Sequence, residues 1–201
     1  MYYSEMKQAV KLLANEWNLG KKESGATGNI CAWIYLFTIL EESEKIVTYK
    51  DGRKLVGFCG HSRNNSKKHL FKKKFYTIVK NKLYKNKNIK DLHALKQYEN
   101  NYDYLPKELE NYFDGEVSIL LVDKNYRGKS IGKKLLQEVF NLAKKDNMKN
   151  LQILTDESCN FKFYENCGCK KIYETIVKNQ EYGKLGNISS EKAFIYEKNL
   201  I

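Results

Sequence analysis

Proline is almost absent from this chain: Pro106 is the only one in 201 residues. That scarcity excludes proline-rich linkers and extended polyproline segments. No Pro/Ser-rich seam and no internal repeat divides the sequence, and a hydrophobic content of 42% is enough for one core. A single domain over residues 1–201 is therefore expected. Long hydrophobic runs are also missing. The longest, Ile30 to Leu40 interrupted by Thr38, falls well short of the ~20 residues that a membrane-spanning helix needs. The start, Met1-Tyr2-Tyr3-Ser4-Glu5, lacks the basic and apolar regions of a secretion signal. The expectation is a cytoplasmic protein with no membrane association, a monomer or a homodimer.

Arginine is scarce too. Of 36 basic residues only Arg53, Arg63 and Arg127 are arginine, although the formal net charge is +12. From Arg63 to Lys90 there are eleven basic residues and no acidic one, with aromatics interleaved, which is the outline of a nucleic-acid surface. Readers of bases and phosphates rely on the arginine fork, however, and lysine with abundant asparagine marks a compositional bias of the whole chain. A solvated face is the expected reading, and nucleic acid is not the expected partner.

The five cysteines are odd in number and carry no disulfide pattern. Cys31 and Cys59 lie in apolar surroundings and read as core residues. Cys167 and Cys169 stand one residue apart with no second Cys/His pair at zinc spacing, so no metal site is expected. Cys159 has no histidine near it in sequence. The three histidines are His61, His69 and His93, and their proximity in space is left open.

Periodicity orders the elements. Met6, Val10, Leu13 and Trp17 share one face of a first helix, Gly20 to Asn29 reads as a loop, and Ile30 to Glu42 as a second helix. Ile46 to Tyr49, the turn Asp51-Gly52, and Leu55 to Cys59 predict a hairpin. Residues 63–114 form a basic, helical insertion with patterns at Leu70 to Tyr84 and Ile89 to Tyr98; Phe71, Phe75, Ile78 and Val79 are its clearest apolar side. After Tyr173, Ile176-Val177 and Ala193 to Tyr196 are two strands joined by a polar loop.

The most informative stretch is Leu120 to Leu136. It reads as a buried strand, a polar turn with Gly128 and Gly132, and an amphipathic helix. The first amides of a helix lack intrahelical acceptors and sit at the positive end of the macrodipole, so an anion placed there finds donors aimed at it. The stretch is neither the Gly-x-Gly-x-x-Gly dinucleotide pattern nor the nucleotide loop ending Gly-Lys-Ser/Thr. Arg127-x-x-Ser130-x-Gly132, after a strand ending Val122-Asp123, resembles the acyl-coenzyme A signature of the GNAT superfamily of N-acetyltransferases, usually Gln/Arg-x-x-Gly-x-Gly/Ala. Ser130 stands where glycine is usual. Downstream, Leu151 to Asp156 reads as a strand, and Tyr164-Glu165-Asn166-Cys167-Gly168-Cys169 resembles the family's Tyr-Glu-x-x-Gly-Phe, with Cys169 in place of Phe. The specific resemblance runs from about Glu116 to Tyr173.

The resemblance implies an α+β fold: a mixed, mostly antiparallel central sheet flanked by helices, with the insertion before the cofactor strand and the family's usual first strand weak or absent. It implies acetyl-coenzyme A as cosubstrate, held by Leu121, Val122, Arg127, Gly128, Lys129, Ser130, Ile131, Gly132, Lys133 and Asn160. It implies transfer of the acetyl group to a primary amine of a small molecule by direct attack in a ternary complex. Tyr164 matches the tyrosine that members of this family use as the acid for the departing thiolate; the alternative is that it packs the cofactor with its hydroxyl bonded to the sulfur. Glu116 stands where the family often has a base, acting directly or through water, and the residue read alone is equally a solvated strand-edge charge. His61 is the fallback base. The oxyanion donor is expected at a strand bulge, at the amide of Val122 or Leu121. Asp103, Glu108, Glu110 and Asp114 would suit a cationic acceptor or be surface charges. The competing class is a non-catalytic GNAT-fold module that binds coenzyme A, or nucleic acid through its basic insertion.

Overall fold

A computed structural model of the chain describes residues 1–17, 26–64, 70–85, 106–109, 111–180 and 188–201. The first two elements are helices, α1 (Tyr3–Glu16) and α2 (Ala26–Glu42). Ala9, Val10 and Leu13 of α1 are buried, the face that the spacing predicted. α2 begins at Ala26, earlier than its apolar run, so the end of the expected 20–29 loop is helical; the rest of that loop lies outside the described residues. Within α2 the buried Thr38 turns its hydroxyl back to the Ile34 carbonyl at 3.2 Å, which satisfies the polar group without leaving the helix.

Six strands form one sheet in the order β1-β2-β3-β4-β6-β5: β1 (Lys45–Asp51), β2 (Lys54–Arg63), β3 (Gly115–Val122), β4 (Asn150–Asp156), β5 (Lys170–Gln180) and β6 (Ile188–Asn199). Every neighbouring pair is antiparallel except β3 with β4. That exception follows from the crossover between them, the amphipathic α4 (Ile131–Lys145). The short α5 (Lys162–Asn166) lies between β4 and β5. Among the described residues no strand precedes α1.

The sheet separates two apolar layers. On one face Leu13, Leu36 and Leu40 pack on Phe58, Ile119 and Leu121; on the other Leu135, Val139 and Phe140 of α4 pack on Val56, Leu151 and Tyr196. From Ile119 to Val122 successive side chains of β3 alternate between the layers, whereas Val117 and Ile119, on either side of Ser118, fall in opposite ones. The basic insertion contributes α3 (Leu70–Tyr84), packed through Tyr76, Val79 and Leu83 against the first layer. Its expected apolar side is corrected here. Phe71, Phe75 and Ile78 are exposed at 91%, 59% and 67%, because the helix is rotated so that only Val79 of that set faces α2. The pattern at Ile89 to Tyr98 lies outside the described residues.

The start of β3 is fixed by a close approach of backbones. A Cβ on Gly115 would lie 2.1 Å from the Ser62 carbonyl oxygen, and that atom is main chain and cannot swing aside. Asp114 tightens the same corner, accepting from Lys149 N at 2.5 Å while its own amide donates to Asn150 Oδ1 at 3.0 Å. Gly115→Ala should therefore force β2 and β3 apart and lower stability by about 1–3 kcal/mol, as overpacking does. A urea unfolding curve that matches the wild type would contradict this.

Candidate active site

β3 and β4 stay together for only two rungs, Gly115 with Leu151 and Glu116 with Gln152. Beyond Glu116 the strands diverge, so from there β3 has a ladder partner only in β2. The Asp123 amide donates to Val56 O at 2.8 Å. Backbone groups alternate along a strand, so those of Leu121 also face β2, and those of Leu120 and Val122 face the opening. The register with β2 shifts between Gly60 and His61, where Gly60 pairs with Ile119 but His61 with Val117. Ser118 is therefore the bulged residue, and its hydroxyl lies 2.6 Å from that of Ser43. The bulge thus falls upstream of Val122 and Leu121, where the oxyanion donor was expected; Leu121 is buried under α1 with its backbone turned to β2.

The divergence opens a cavity of about 220 Å³. Glu116 to Leu120 form one wall, and Ile153 to Asp156, Cys159 and Tyr164 form the other. Trp17, Tyr35, Thr38 and Glu42 from α2 and the end of α1 close the top. A second cavity, of about 320 Å³, continues along β3: Leu121, Val122, Asp123, Lys124 and Asn125 face Leu12, Asn15 and Glu16 of α1. The two are lined by successive stretches of one strand.

The loop after β3 is built by local chemistry. Asp123 accepts from Asn125 N at 3.0 Å and caps a short turn, Lys124–Tyr126; Lys54, at 2.9 Å, holds the Asp123 carboxyl below the usual carboxylate range. Gly128 has φ +78° and Ser130 has φ +58°. The second value accounts for the family's glycine at that position: the left-handed conformation costs an L-residue what it does not cost glycine. The Ser130 side chain makes no capping bond. Lys134 N to Ser130 O, 3.1 Å, closes the first turn of α4, so the amides of Ile131, Gly132 and Lys133 precede any intrahelical acceptor. Ile131 is buried and anchors the helix start, whereas Gly128, Lys129, Ser130 and Lys133 are exposed. A Cβ on Gly132 would meet Phe163 at 3.4 Å, ordinary contact, so protein packing does not demand this glycine. Arg127 donates through Nε to Val122 O at 3.3 Å and pairs with Glu16 at 2.7 Å.

Two of the expected catalytic residues meet at the first cavity. Glu116 accepts from Gln152 Nε2 at 3.0 Å and Ser62 Oγ at 3.4 Å. Each carboxylate oxygen thus has one neutral donor and room for another. Tyr164 projects from α5, its ring edge-on to Phe163 at 5.5 Å and tilted on Tyr196 at 5.8 Å, and burial pushes its phenol up. Cys159 also lines the cavity; burial and the neighbouring Asp156 push its thiol up, away from nucleophilic readiness. Asn160 is exposed in the turn before α5 and lines neither cavity.

His61, the fallback base, is fully buried, lines neither cavity, and neither ring nitrogen has a hydrogen-bond partner. Burial, then Lys45, pushes its pKa down, while Asp146 and Glu44 pull the other way. It is a core histidine. Of the carboxylates assigned to the end of the insertion, Glu108 is exposed and Asp114 clamps the strand corner, and neither lines the first cavity; Asp103 and Glu110 lie outside the described residues. Sequence reasoning missed Tyr35, Glu42 and Asp156 as lining residues. Asp156 left a signal, a carboxylate ending an apolar strand; Tyr35 and Glu42 were absorbed in a helix pattern.

The comparisons with known proteins agree with this geometry. The model of the acetyltransferase (GNAT) family matches residues 8–169, and the chain belongs to that family. The fold resembles an aminoglycoside 6'-N-acetyltransferase complexed with coenzyme A (14% identity, all of this chain and 93% of that one, TM-score 0.57). It also resembles an aminoglycoside 6'-acetyltransferase type Ii (16%, 98% and 90%, 0.55) and a ribosomal-protein-alanine N-acetyltransferase from Brucella melitensis (11%, 99% and 96%, 0.55). No curated protein matches the chain significantly. Among the described residues no helix is long and apolar enough to cross a membrane.

Two stability measurements test the site's construction. Ser130→Val, a β-branched residue forced into the left-handed region, should cost about 1–3 kcal/mol, whereas Ser130→Gly should stay within about 1 kcal/mol of the wild type. Equal melting temperatures for the two variants would contradict the backbone assignment. His61 has its folded pKa below the unfolded value of about 6.5, so the unfolded chain takes up a proton that the folded one refuses. Its contribution to stability is present above that value and is lost as pH falls below it, with a slope of up to about 1.4 kcal/mol per pH unit. His61→Gln should flatten that part of the urea-stability curve; an unchanged slope would place the titration elsewhere.

Proposed function

We propose that this protein is an N-acetyltransferase that moves the acetyl group of acetyl-coenzyme A to a primary amine of a small cationic molecule, by direct attack in a ternary complex. One observation carries the reading. Glu116 and Tyr164 line opposite walls of the cavity where β3 and β4 part, and β3 runs on from that cavity into the loop that ends at the start of α4. A helix start with free amides favours a pyrophosphate, and the backbone groups of Leu120 and the amide of Val122 offer an extended arm the pairing that β4 withholds.

Bound there, acetyl-coenzyme A supplies the activated thioester. The residues of the chain supply the rest. Glu116 accepts the proton of the attacking ammonium, directly or through a water, since an amine attacks only as the free base. Main-chain amides near the Ser118 bulge donate to the oxygen on which negative charge develops. Tyr164 donates a hydrogen bond to the departing sulfur. Complete proton transfer from a phenol (pKa ~10 even when unperturbed) to a thiolate (thiol pKa ~8.5) runs uphill, and burial of Tyr164 steepens it. Tyr164 therefore acts chiefly by stabilising the thiolate as it forms.

The acceptor's charge is inferred from the cavity. In a chain of net charge +12, its described lining carries Glu42, Glu116 and Asp156 and neither lysine nor arginine. Trp17 and Tyr35, edge-on at 5.3 Å, add aromatic faces that favour a cation. The substrates named for two structural relatives, the aminoglycosides, are cationic amines of this kind.

The test is thiol release from acetyl-coenzyme A by the full chain across a panel of neutral, monocationic and polycationic amines. Cationic acceptors should react fastest, and Tyr164→Phe should lower kcat by about 10²-fold with little change in the KM for acetyl-coenzyme A. An unchanged kcat would remove Tyr164 from its role. Binding of coenzyme A with no turnover on any amine would establish the non-catalytic module instead.

A further inference from the structure

The arginine that opens the phosphate loop is already engaged. Glu16, the last residue of α1, places Oε1 2.7 Å from Arg127 Nη2 and Oε2 3.9 Å from Lys124 Nζ. One carboxylate thus spans two cations of the loop, as an anionic ligand would. Its position is unfavourable for the helix itself: an acidic side chain at a C-terminus opposes the macrodipole, and the last turn of α1 carries no basic residue to offset it. The favourable partners of Glu16 lie across the second cavity, which Glu16 and Lys124 both line.

The next residue faces the other site. Trp17 caps α1, with its amide bonded to Leu13 O at 3.1 Å, and its ring lines the first cavity against Tyr35. The end of α1 therefore touches the cofactor loop with one residue and the acceptor cavity with the next. We propose that Glu16 occupies the place of the cofactor's pyrophosphate at Arg127 and Lys124, and that its displacement links cofactor binding to the Trp17 wall of the acceptor cavity. The inference rests on the acetyltransferase reading. A ligand that needs Arg127 must first compete with Glu16, and the end of α1 that is released carries Trp17 with it. Because linkage is reciprocal, an acceptor that favours the displaced position of Trp17 tightens cofactor binding by the same factor.

The experiment is calorimetric titration of the full chain with coenzyme A and, separately, with pantetheine, which lacks the phosphates. Both partners are partly exposed, so Glu16→Gln should tighten coenzyme A by about two- to fivefold, the scale of such pairs, and leave pantetheine unchanged. Glu16→Ala repeats the measurement should the glutamine variant not fold. Trp17 and Trp33 are the only tryptophans. In a Trp33→Phe background, coenzyme A should shift Trp17 emission, and Glu16→Gln should shift it the same way without ligand. Failure of the wild type to bind coenzyme A would overturn the cofactor reading and this inference together. Wild-type binding that Glu16→Gln leaves unchanged or weakens, a gain shared by pantetheine, or a Trp17 emission indifferent to coenzyme A would overturn this inference alone.

Discussion

The architecture depends on two backbone rungs. Because β3 and β4 pair only at Gly115 with Leu151 and at Glu116 with Gln152, the sheet is held shut at one end and open at the other. Everything that makes the closed end rigid lies close by: the Gly115 contact with the Ser62 carbonyl, the Asp114 bond to Lys149, and the Asn150 side chain on the Asp114 amide. A fully paired sheet would have satisfied the edge of β3 and left no cavity. The unpaired edge costs ladder hydrogen bonds, and a ligand with its own amides can restore them. The irregularity that creates the cavity thus also leaves the edge of β3 with backbone groups that β4 does not pair.

The second constraint is electrostatic. Lysines dominate the chain, yet the described lining of the first cavity is acidic, and the exposed loop at the start of α4 is basic. The two regions lie in series along β3, so an anionic cosubstrate and a cationic acceptor would meet their preferred fields from opposite directions. That separation is useful for direct transfer: charges of opposite sign in one undivided pocket would screen each other. Glu16 and Trp17 stand at the boundary, where one helix end touches both fields.

What the sequence disclosed was local. The loop from Asp123 to Gly132 was legible because turn residues, glycine and helix period lie within a few positions of each other, and the element order followed from periodicity in the same way. Four features were not legible, and each is a product of tertiary pairing. The bulge at Ser118 arises from the register with β2, which no pattern within β3 encodes. The burial of His61 follows from β2 being covered on both faces, and the exposed Phe71, Phe75 and Ile78 depend on how α3 is rotated against α2. The pairing of Glu16 leaves no local signal, since its partners are more than a hundred residues away in the chain.

Ser130 ties the local and the distant together. Its left-handed backbone turns the chain so that the amides after it point outward, and a glycine would reach that conformation without strain. The serine keeps the geometry at a cost in stability, while its hydroxyl makes no capping bond and is exposed beside the helix start. A strained residue persists only where the surroundings over-determine it. Here the buried Ile131 on one side and Arg127, fixed by the Val122 carbonyl and Glu16, on the other hold the turn between them. The conformation of the turn before α4 is therefore set partly from outside the motif, by an ion pair to α1. A match to the motif alone could not have revealed that dependence.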